Sequence, residues 1–152
     1  MNFPIKPTSL KLSSQPVYTL SVASGLSGVP VHSIKQYISK GLILPFVKGS
    51  GRHLFSETDI LRLKSIRYHL EEKGLNIAGI KAILSLIPCW ALNNCPQEDR
   101  SVCAAFTSTT YPCWEAAEKG KECMNRDCRE CKVYSYFSET RDLKSLMHEM
   151  LK

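Results

Sequence analysis

Hydrophobic residues recur at helical spacing in the first half of the chain, and this pattern predicts two short helices joined by a turn. The first is expected over residues 19–26, with Thr19 as its cap, because a Thr hydroxyl accepts a hydrogen bond from a free N–H group of the first turn. The second is expected over Val31–Ser39, where one apolar face is formed by Val31, Ile34 and Ile38. The tight turn at Gly28 and the polar outer face of the second helix are typical of a helix-turn-helix.

The pattern then changes to two predicted strands, Leu42–Val47 and Arg52–Phe55, around a Gly-rich turn. A longer helix is expected from Ser56 to about Lys73, with Ser56 and Asp59 as a capping box. Its inward stripe consists of Ile60, Leu63, Ile66 or Arg67, and Leu70. A further helix is expected over residues 77–87, capped by Asn76 and ended by Pro88.

These residues resemble the DNA-binding domain of the MerR family of bacterial transcription regulators. The resemblance covers Tyr18–Leu86. It rests on the turn and second helix through Gly41-Leu42-Ile43, on the junction Arg52–Ile60, and on Leu75–Lys81. It implies a mainly α fold, a winged helix-turn-helix whose second helix reads the major groove of double-stranded DNA. It further implies a homodimer on a pseudo-palindromic promoter site, with RNA polymerase as a further partner. Many members of the family activate transcription by distorting an over-long spacer, and the sequence leaves open whether this protein activates or represses.

The resemblance also implies which side chains contact DNA. On the second helix they are His32, Ser33, Lys35, Gln36 and Tyr37, and on the wing they are Lys48, Arg52 and His53. Tyr37 is equally expected to anchor the helix in the core. His32 and Lys35 stand where the family usually has arginine. A lysine lacks the bidentate fork of arginine, so we expect an unusual sequence preference and affinity.

Charge supports a polyanionic partner for this part of the chain. Residues 1–88 carry eleven Lys and Arg against four Asp and Glu, a net charge of +7, whereas residues 89–152 have a net charge of −1. A basic domain beside a nearly neutral one favours nucleic acid as the partner of the first. A merely soluble basic face is the alternative.

Neither the N-terminal residues nor the apolar runs of the sequence predict export or membrane insertion. Residues 1–16 contain three prolines and four Ser or Thr, and they predict a flexible N-terminal arm. We find no signal-peptide pattern, and the apolar runs are shorter than the roughly 20 residues that span a bilayer. We therefore expect a cytoplasmic protein with no membrane partner.

All seven cysteines and both tryptophans lie between Cys89 and Cys131. Pro-Cys-Trp occurs twice, at residues 88–90 and 112–114, and the segment closes with Cys128-x2-Cys131. The segment is rich in Pro, Asn, Ser and Thr and has no helical period until after Tyr134, so it is predicted to consist mostly of loops. It cannot build a large apolar core, so something else is expected to hold it together. We refer to residues 88–137 as the cysteine module.

Three kinds of site fit the cysteine module. An iron–sulfur cluster uses thiolate ligands from loops. A structural zinc ion suits Cys128-x2-Cys131, although a second such pair is missing. A thiol switch would form a disulfide within the same pair. We favour an iron–sulfur cluster, with zinc as the alternative, held by Cys113, Cys123, Cys128 and Cys131, and with Cys89, Cys95 and Cys103 as further candidate ligands.

The module also resembles the small two-CW domain that is attached to bacterial chemoreceptors and other signalling proteins. The matching elements, in order, are Cys89-Trp90, Cys95, Cys103-x-Ala105, Cys113-Trp114, Cys123 and Cys128-x2-Cys131-x-Val133-Tyr134. The proteins that carry this domain indicate sensing. Trp90 and Trp114 are expected to shield the site.

A last amphipathic helix is expected over residues 138–152, capped by Ser138. Its apolar stripe is formed by Leu143, Leu146, Met147, Met150 and Leu151. A contact with a partner subunit is slightly favoured for this stripe, in place of the long dimerising helix of the MerR family. The predicted organisation is therefore an arm (1–16), a DNA-binding domain (17–87), the cysteine module (88–137) and a C-terminal helix (138–152).

The sequence as a whole predicts a transcription regulator with a redox or metal sensor. The alternative is a DNA-bending or excisionase-like accessory factor whose cysteine module is a structural zinc site. An enzyme is not expected, because there is no Ser-His-Asp arrangement, no phosphate-binding Gly loop, and no histidine near the cysteines.

Overall fold

The computed structural model describes residues 13–139 and 142–152. Residues 1–12, which make up most of the predicted arm, lie outside the described residues. So do Thr140 and Arg141, the latter expected in the first turn of the predicted last helix. The described part begins with Val17 and Tyr18, whose N–H groups both donate to the Phe55 carbonyl, at 3.0 and 2.9 Å. The start of the domain is thereby attached to the end of its wing.

The first two helices form where the sequence predicts them. Helix α1 spans Leu20–Ser27, and the Thr19 hydroxyl accepts a hydrogen bond from the N–H of its first turn. Helix α2 spans Val31–Ser39. Gly28, at φ 72°, closes α1 in the left-handed conformation that glycine adopts without strain. The helix-turn-helix prediction is confirmed.

The wing is shorter than predicted. Strands β1 (Phe46–Val47) and β2 (His53–Leu54) pair antiparallel, with Phe46 opposite Leu54. The predicted first strand began at Leu42, and this bound is wrong. The backbone groups of Leu42 and Leu44 bond instead to Arg62, Tyr134 and Arg129, so they are not available for strand pairing.

Helices α3 (Glu57–Glu71) and α4 (Ile77–Ser85) complete the N-terminal domain. The capping box of Ser56 and Asp59 is present, and the Asn76 side chain caps α4. Both helices end two residues before their predicted ends. The architecture is mainly α with a small wing, as predicted.

The cysteine module is built from short helical turns, which the sequence pattern had indicated as loops. They are α5 (Cys89–Leu92), α6 (Gln97–Ser101), α7 (Ala104–Thr107), a 3₁₀ turn (Cys113–Glu115), α8 (Lys121–Met124) and a second 3₁₀ turn (Cys128–Glu130). Turns of three to five residues are too short to show an amphipathic period.

The C-terminal helices differ from the prediction. Helix α9 spans Lys132–Glu139 and contains Ser138, so Ser138 is not a helix cap. Helix α10 spans Leu143–Met150, and Asp142 caps it by accepting a hydrogen bond from the Lys144 N–H. The single predicted helix over residues 138–152 is therefore wrong at its start.

One hydrophobic core joins the two parts of the chain. Helix α9 packs along α3. Its buried side chains Val133, Tyr134 and Phe137 belong to the same cluster as Leu63 and Ile66 of α3. The cysteine module is thus fixed to the N-terminal domain by shared apolar burial, the main favourable contribution to folding. No helix in the described ranges has the length and hydropathy needed to cross a membrane.

Candidate functional site

The outer face of α2 and the wing present the predicted DNA-contacting side chains. His32, Lys35 and Gln36 are exposed on α2, and Ser33 is half-buried. At the wing, exposed Lys48 and Arg52 flank the turn and half-buried His53 follows it. The Lys48 N–H donates to the Arg52 carbonyl at 2.9 Å. The structure therefore leaves basic groups accessible on both elements.

Tyr37 is placed differently from the other residues of that set. Its side chain is only 5 % exposed and belongs to the core. Burial, followed by the nearby carboxylate of Glu71, raises the pKa of its hydroxyl. This placement favours the anchoring role that the sequence offered as the alternative to DNA contact.

All seven cysteines line one cavity of about 40 Å³ in the cysteine module. A single water needs roughly 10–15 Å³ of such space, so the cavity is larger than one small ion or water requires. The rings of Trp90, Phe106, Trp114 and Tyr134 complete much of the wall. The sequence predicted the clustering of thiols, and the structure places all seven on one enclosed surface.

Local turns position the thiols. Cys89, Cys113 and Cys128 are each the first residue of a helical turn. Cys103 and Cys131 immediately precede α7 and α9. The proline of each Pro-Cys-Trp motif stands just before its turn, where a residue without an N–H is tolerated. The repeated motif therefore serves to start a turn with a cysteine at its head.

The cavity thiols are close enough to influence each other's ionisation. Burial raises the pKa of Cys113 to about 12, and the other contributions come from Cys89, Cys131, Cys128 and Cys123, in that order. A thiol with this pKa is protonated at neutral pH and is a weak nucleophile.

Other cavity thiols behave in the same way. Burial, followed by the charges of Cys123 and Cys103, raises the pKa of Cys89 to about 11. Burial likewise raises the pKa of Cys123 and of Cys95. Ligation of several thiolates in this cavity therefore needs a cation that compensates their charge.

Two polar side chains donate to cavity sulfur atoms. The Asn93 amide lies 3.4 Å from the Cys131 Sγ, and the Lys119 ammonium lies 3.5 Å from the Cys128 Sγ. Donors at these distances stabilise negative charge on sulfur and adjust the potential of a thiolate-bound metal. In the part of the chain that the structure describes, no group of three or more His, Cys, Asp or Glu side chains is arranged to hold a single metal ion.

The cavity wall continues into contacts with the segment between α2 and the wing, residues 41–44, which we call the helix–wing link. The Trp114 indole N–H donates to the Gly41 carbonyl at 2.7 Å. The Leu44 N–H donates to the Tyr134 hydroxyl at 2.7 Å. The Arg129 guanidinium donates to the Leu44 carbonyl, and it forms an ion pair with Asp59 at 3.0 Å.

Arg62 on α3 lies at the centre of this junction and is fully buried. Its Nε donates to the Leu42 carbonyl at 2.7 Å, and its Nη1 donates to the Tyr134 carbonyl at 2.6 Å. The guanidinium carbon stands 3.8 Å from the centre of the Tyr134 ring and 4.8 Å from that of Trp114. Such stacking stabilises a buried cation.

Sequence reasoning missed Arg62, although a signal was present. Asp59, Arg62, Ser65 and His69 are all buried on α3, at spacings of three or four residues beside the apolar stripe. Polar residues that recur at helical spacing next to an apolar face indicate a second buried face. That face packs on the cysteine module.

Comparison with known proteins agrees with the fold of the N-terminal part. Residues 18–87 match the model of the MerR HTH family regulatory proteins. The chain is 40 % identical over 72 residues to the heat shock protein HspR of Streptomyces coelicolor. The aligned region covers 47 % of this chain and 47 % of HspR. It is 32 % identical over 71 residues to the HTH-type transcriptional regulator GlnR of Bacillus anthracis. This aligned region covers 47 % of this chain and 54 % of GlnR. The chain spans about half the length of the curated relatives it matches. Residues 18–87 are therefore a helix-turn-helix domain of the MerR family.

Proposed function

We propose that this protein is a MerR-type transcription regulator whose cysteine cavity holds an iron–sulfur cluster and senses redox or metal state. The observation that carries the proposal is the placement of all seven thiols on one cavity, in a chain whose other half is a MerR-type domain. A sensor and a DNA-binding domain within one core give the chain both parts of a regulator.

Double-stranded DNA is the proposed partner of α2 and the wing. Lys35 and Gln36 are exposed on the outer face of α2, where a recognition helix contacts phosphates and base edges. Lys48 and Arg52 on the wing provide charge for the flanking backbone. RNA polymerase is a further proposed partner, because regulators of this family act at promoters.

The cavity fits a cluster in the chemistry of its donors. Its lining provides thiols, which are the ligands of iron–sulfur clusters, together with aromatic rings that limit access of water. The proposed ligands are Cys113, Cys123, Cys128 and Cys131. Cys89 is a further candidate, because after burial it makes the largest contribution to the raised pKa of Cys113. Cys95 is peripheral, and its thiol is directed at the Pro96 carbonyl, at 3.6 Å. A bound cluster would supply a one-electron redox change.

A homodimer is the proposed assembly. Leu146 of α10 is buried in the core, whereas Met147, Met150 and Leu151 are 48, 37 and 81 % exposed. The predicted stripe is thus divided between the chain's own core and its surface. The exposed half provides apolar area for a second copy, as regulators of this family require two DNA-binding domains.

The proposed cofactor is tested by anaerobic purification followed by visible spectroscopy and analysis of iron, sulfide and zinc. We expect a coloured protein with iron and sulfide, and loss of both in Cys113→Ser. Cys95→Ser is the matched control, because it makes the same change at the margin of the cavity and is expected to retain the cluster. A colourless protein with stoichiometric zinc would favour the accessory factor with a structural zinc site. A metal-free protein would contradict both assignments.

A further inference from the structure

We propose that the helix–wing link (residues 41–44) is the segment through which the state of the cysteine cavity changes DNA binding, and that Arg129, Trp114, Tyr134 and Arg62 are the coupling residues. The inference rests on the proposed function, since it requires a metal or cluster in the cavity. It adds the physical connection between that site and the DNA-contacting elements of the same subunit.

Each coupling residue of the cysteine module is close in sequence to a cavity thiol. Trp114 follows Cys113 in one 3₁₀ turn. Arg129 follows Cys128 in the other. Tyr134 lies three residues after Cys131, in the first turn of α9. A ligand that fixes the thiols therefore fixes the backbone that carries these three side chains.

Each coupling residue also forms a hydrogen bond with the backbone of the helix–wing link. The link's carbonyls at Gly41 and Leu42 accept from Trp114 and Arg62. Its N–H at Leu44 donates to Tyr134, and its carbonyl at Leu44 accepts from Arg129.

This segment joins the last turn of α2, at Ser39, to the first wing residue, Phe46. Because buried backbone groups need partners, a shift of these hydrogen-bond partners moves the link or leaves its groups unpaired. A movement of the link changes the position of the recognition helix relative to the wing.

Arg62 provides an electrostatic connection as well. The guanidinium is buried between the link and the rings of Trp114 and Tyr134, and Trp114 directly follows Cys113 in the chain. Among the described residues its Nη2 has no hydrogen-bond partner. The buried guanidinium thus forms two hydrogen bonds and has a further donor free. Because little water is present to screen its charge, its position responds to a change of charge among nearby thiolates.

The close approach of the module to the link depends on a glycine. Gly41 has φ +74°, and a Cβ at this position would overlap the Glu115 carboxylate. That carboxylate pairs with the Lys81 ammonium of α4 at 2.9 Å. Glu115 follows Trp114, so the turn that carries Cys113 is attached to both the link and α4.

The test compares DNA affinity with the cavity loaded and empty. Full-length protein is prepared metal-free under reducing, anaerobic conditions, and a portion is reconstituted with ferrous iron and sulfide. The DNA is a duplex selected from a random pool by the reconstituted wild type. Dissociation constants are measured for the wild type, Arg129→Met and Tyr134→Phe. Tyr111→Phe is the matched control, because it removes a hydroxyl from another tyrosine of the same module. Iron and sulfide are measured for each protein.

We expect the loaded and empty forms of the wild type and of Tyr111→Phe to differ roughly tenfold in affinity, within the usual range for coupled sites. In Arg129→Met and Tyr134→Phe we expect iron to be retained and the difference in affinity to fall to about twofold or less.

A tenfold difference that persists in both variants would overturn the inference without affecting the proposed cofactor. Equal affinities of the loaded and empty wild type would have the same consequence. Loss of iron from both variants would also overturn it, since the contacts would then belong to the metal site. A wild type that binds no iron would overturn the proposed function together with the inference.

Discussion

Lys35 and Arg62 are both basic residues of the MerR-type domain, but their surroundings give them opposite roles. Lys35 is exposed on α2, so its ammonium is available to a phosphate. Arg62 is fully buried, so its charge is available only to the protein. Net charge alone does not distinguish the two, and only the position of each side chain shows which one can contact DNA.

Replacing Lys35 by alanine tests the exposed role. We expect Lys35→Ala to weaken binding to all duplexes and to reduce the slope of log affinity against log salt by about 1, because one phosphate contact is lost. Lys121→Ala is the control, since Lys121 is an exposed lysine of the cysteine module. Anisotropy titrations at several salt concentrations measure both variants. An equal loss in the control would indicate a general effect of charge.

Replacing Arg62 by methionine tests the buried role. The variant leaves the Leu42 carbonyl without its Arg62 donor and removes the side-chain donor to the Tyr134 carbonyl, which lies within α9. An unsatisfied buried group costs about 1–3 kcal/mol. We expect the free energy of unfolding of the metal-free protein to fall by about 2–5 kcal/mol, measured by urea denaturation. Arg67→Met on the same helix removes a largely exposed pair with Glu71 and an exposed hydrogen bond to the Gly28 carbonyl, and it is expected to cost about 1 kcal/mol. Similar losses in the two variants would contradict the role of Arg62.

At the scale of elements, the helix–wing link depends on two separate properties of Gly41. Gly41→Ala places a Cβ both in the left-handed region and against the Glu115 carboxylate. Gly51 in the wing turn has φ +81° and open space around it, so Gly51→Ala carries only the conformational cost, about 1–2 kcal/mol. We expect a larger loss of thermal stability in Gly41→Ala, with part of the excess recovered when Glu115→Ala is added. Equal losses at the two glycines would contradict the close contact.

The helices of the MerR-type domain could be predicted from sequence because their signals are local. Thr19, the Ser56–Asp59 pair and Asn76 each cap a helix within three residues of themselves. The junction could not be predicted in this way. The partners of Arg62 lie 20 and 72 residues away, and no local pattern records such distances.

The cysteine module shows the same limit. The sequence indicated that its thiols form a site and gave Cys89, Cys95 and Cys103 as further candidate ligands, but it left open whether one site or two would use them. In the structure all seven line one cavity. The turns that hold them are too short to produce a period. The sequence also failed to predict the start of α9. This helix begins at Lys132, directly after the last cysteine, whereas the predicted helix began at Ser138.

At the scale of the whole molecule, the raised thiol pKa values predict how the metal-free protein responds to pH. Burial raises the pKa of Cys89 to about 11 and that of Cys113 to about 12, above the ordinary value of 9.0. Between pH 9 and about 12 the folded state binds more protons than the unfolded state. The contribution of these thiols to the free energy of unfolding is therefore fully present below pH 9, and it is lost as pH rises toward 12. Thermal unfolding of the reduced, metal-free protein between pH 8 and 11 should show this decline. Cys113→Ser should show a smaller one, and an equal decline would contradict the assignment.

The central claim is that the cysteine cavity and the helix–wing link belong to one coupled unit. It is tested most directly by amide hydrogen exchange of residues 41–44 in the DNA-free protein, with and without reconstituted iron and sulfide. Helix α1, residues 20–27, serves as the internal reference. Because the Leu44 N–H donates to Tyr134, loading of the cavity is predicted to slow exchange at the link and to leave α1 unchanged. Identical exchange at residues 41–44 in the loaded and metal-free protein would contradict the account.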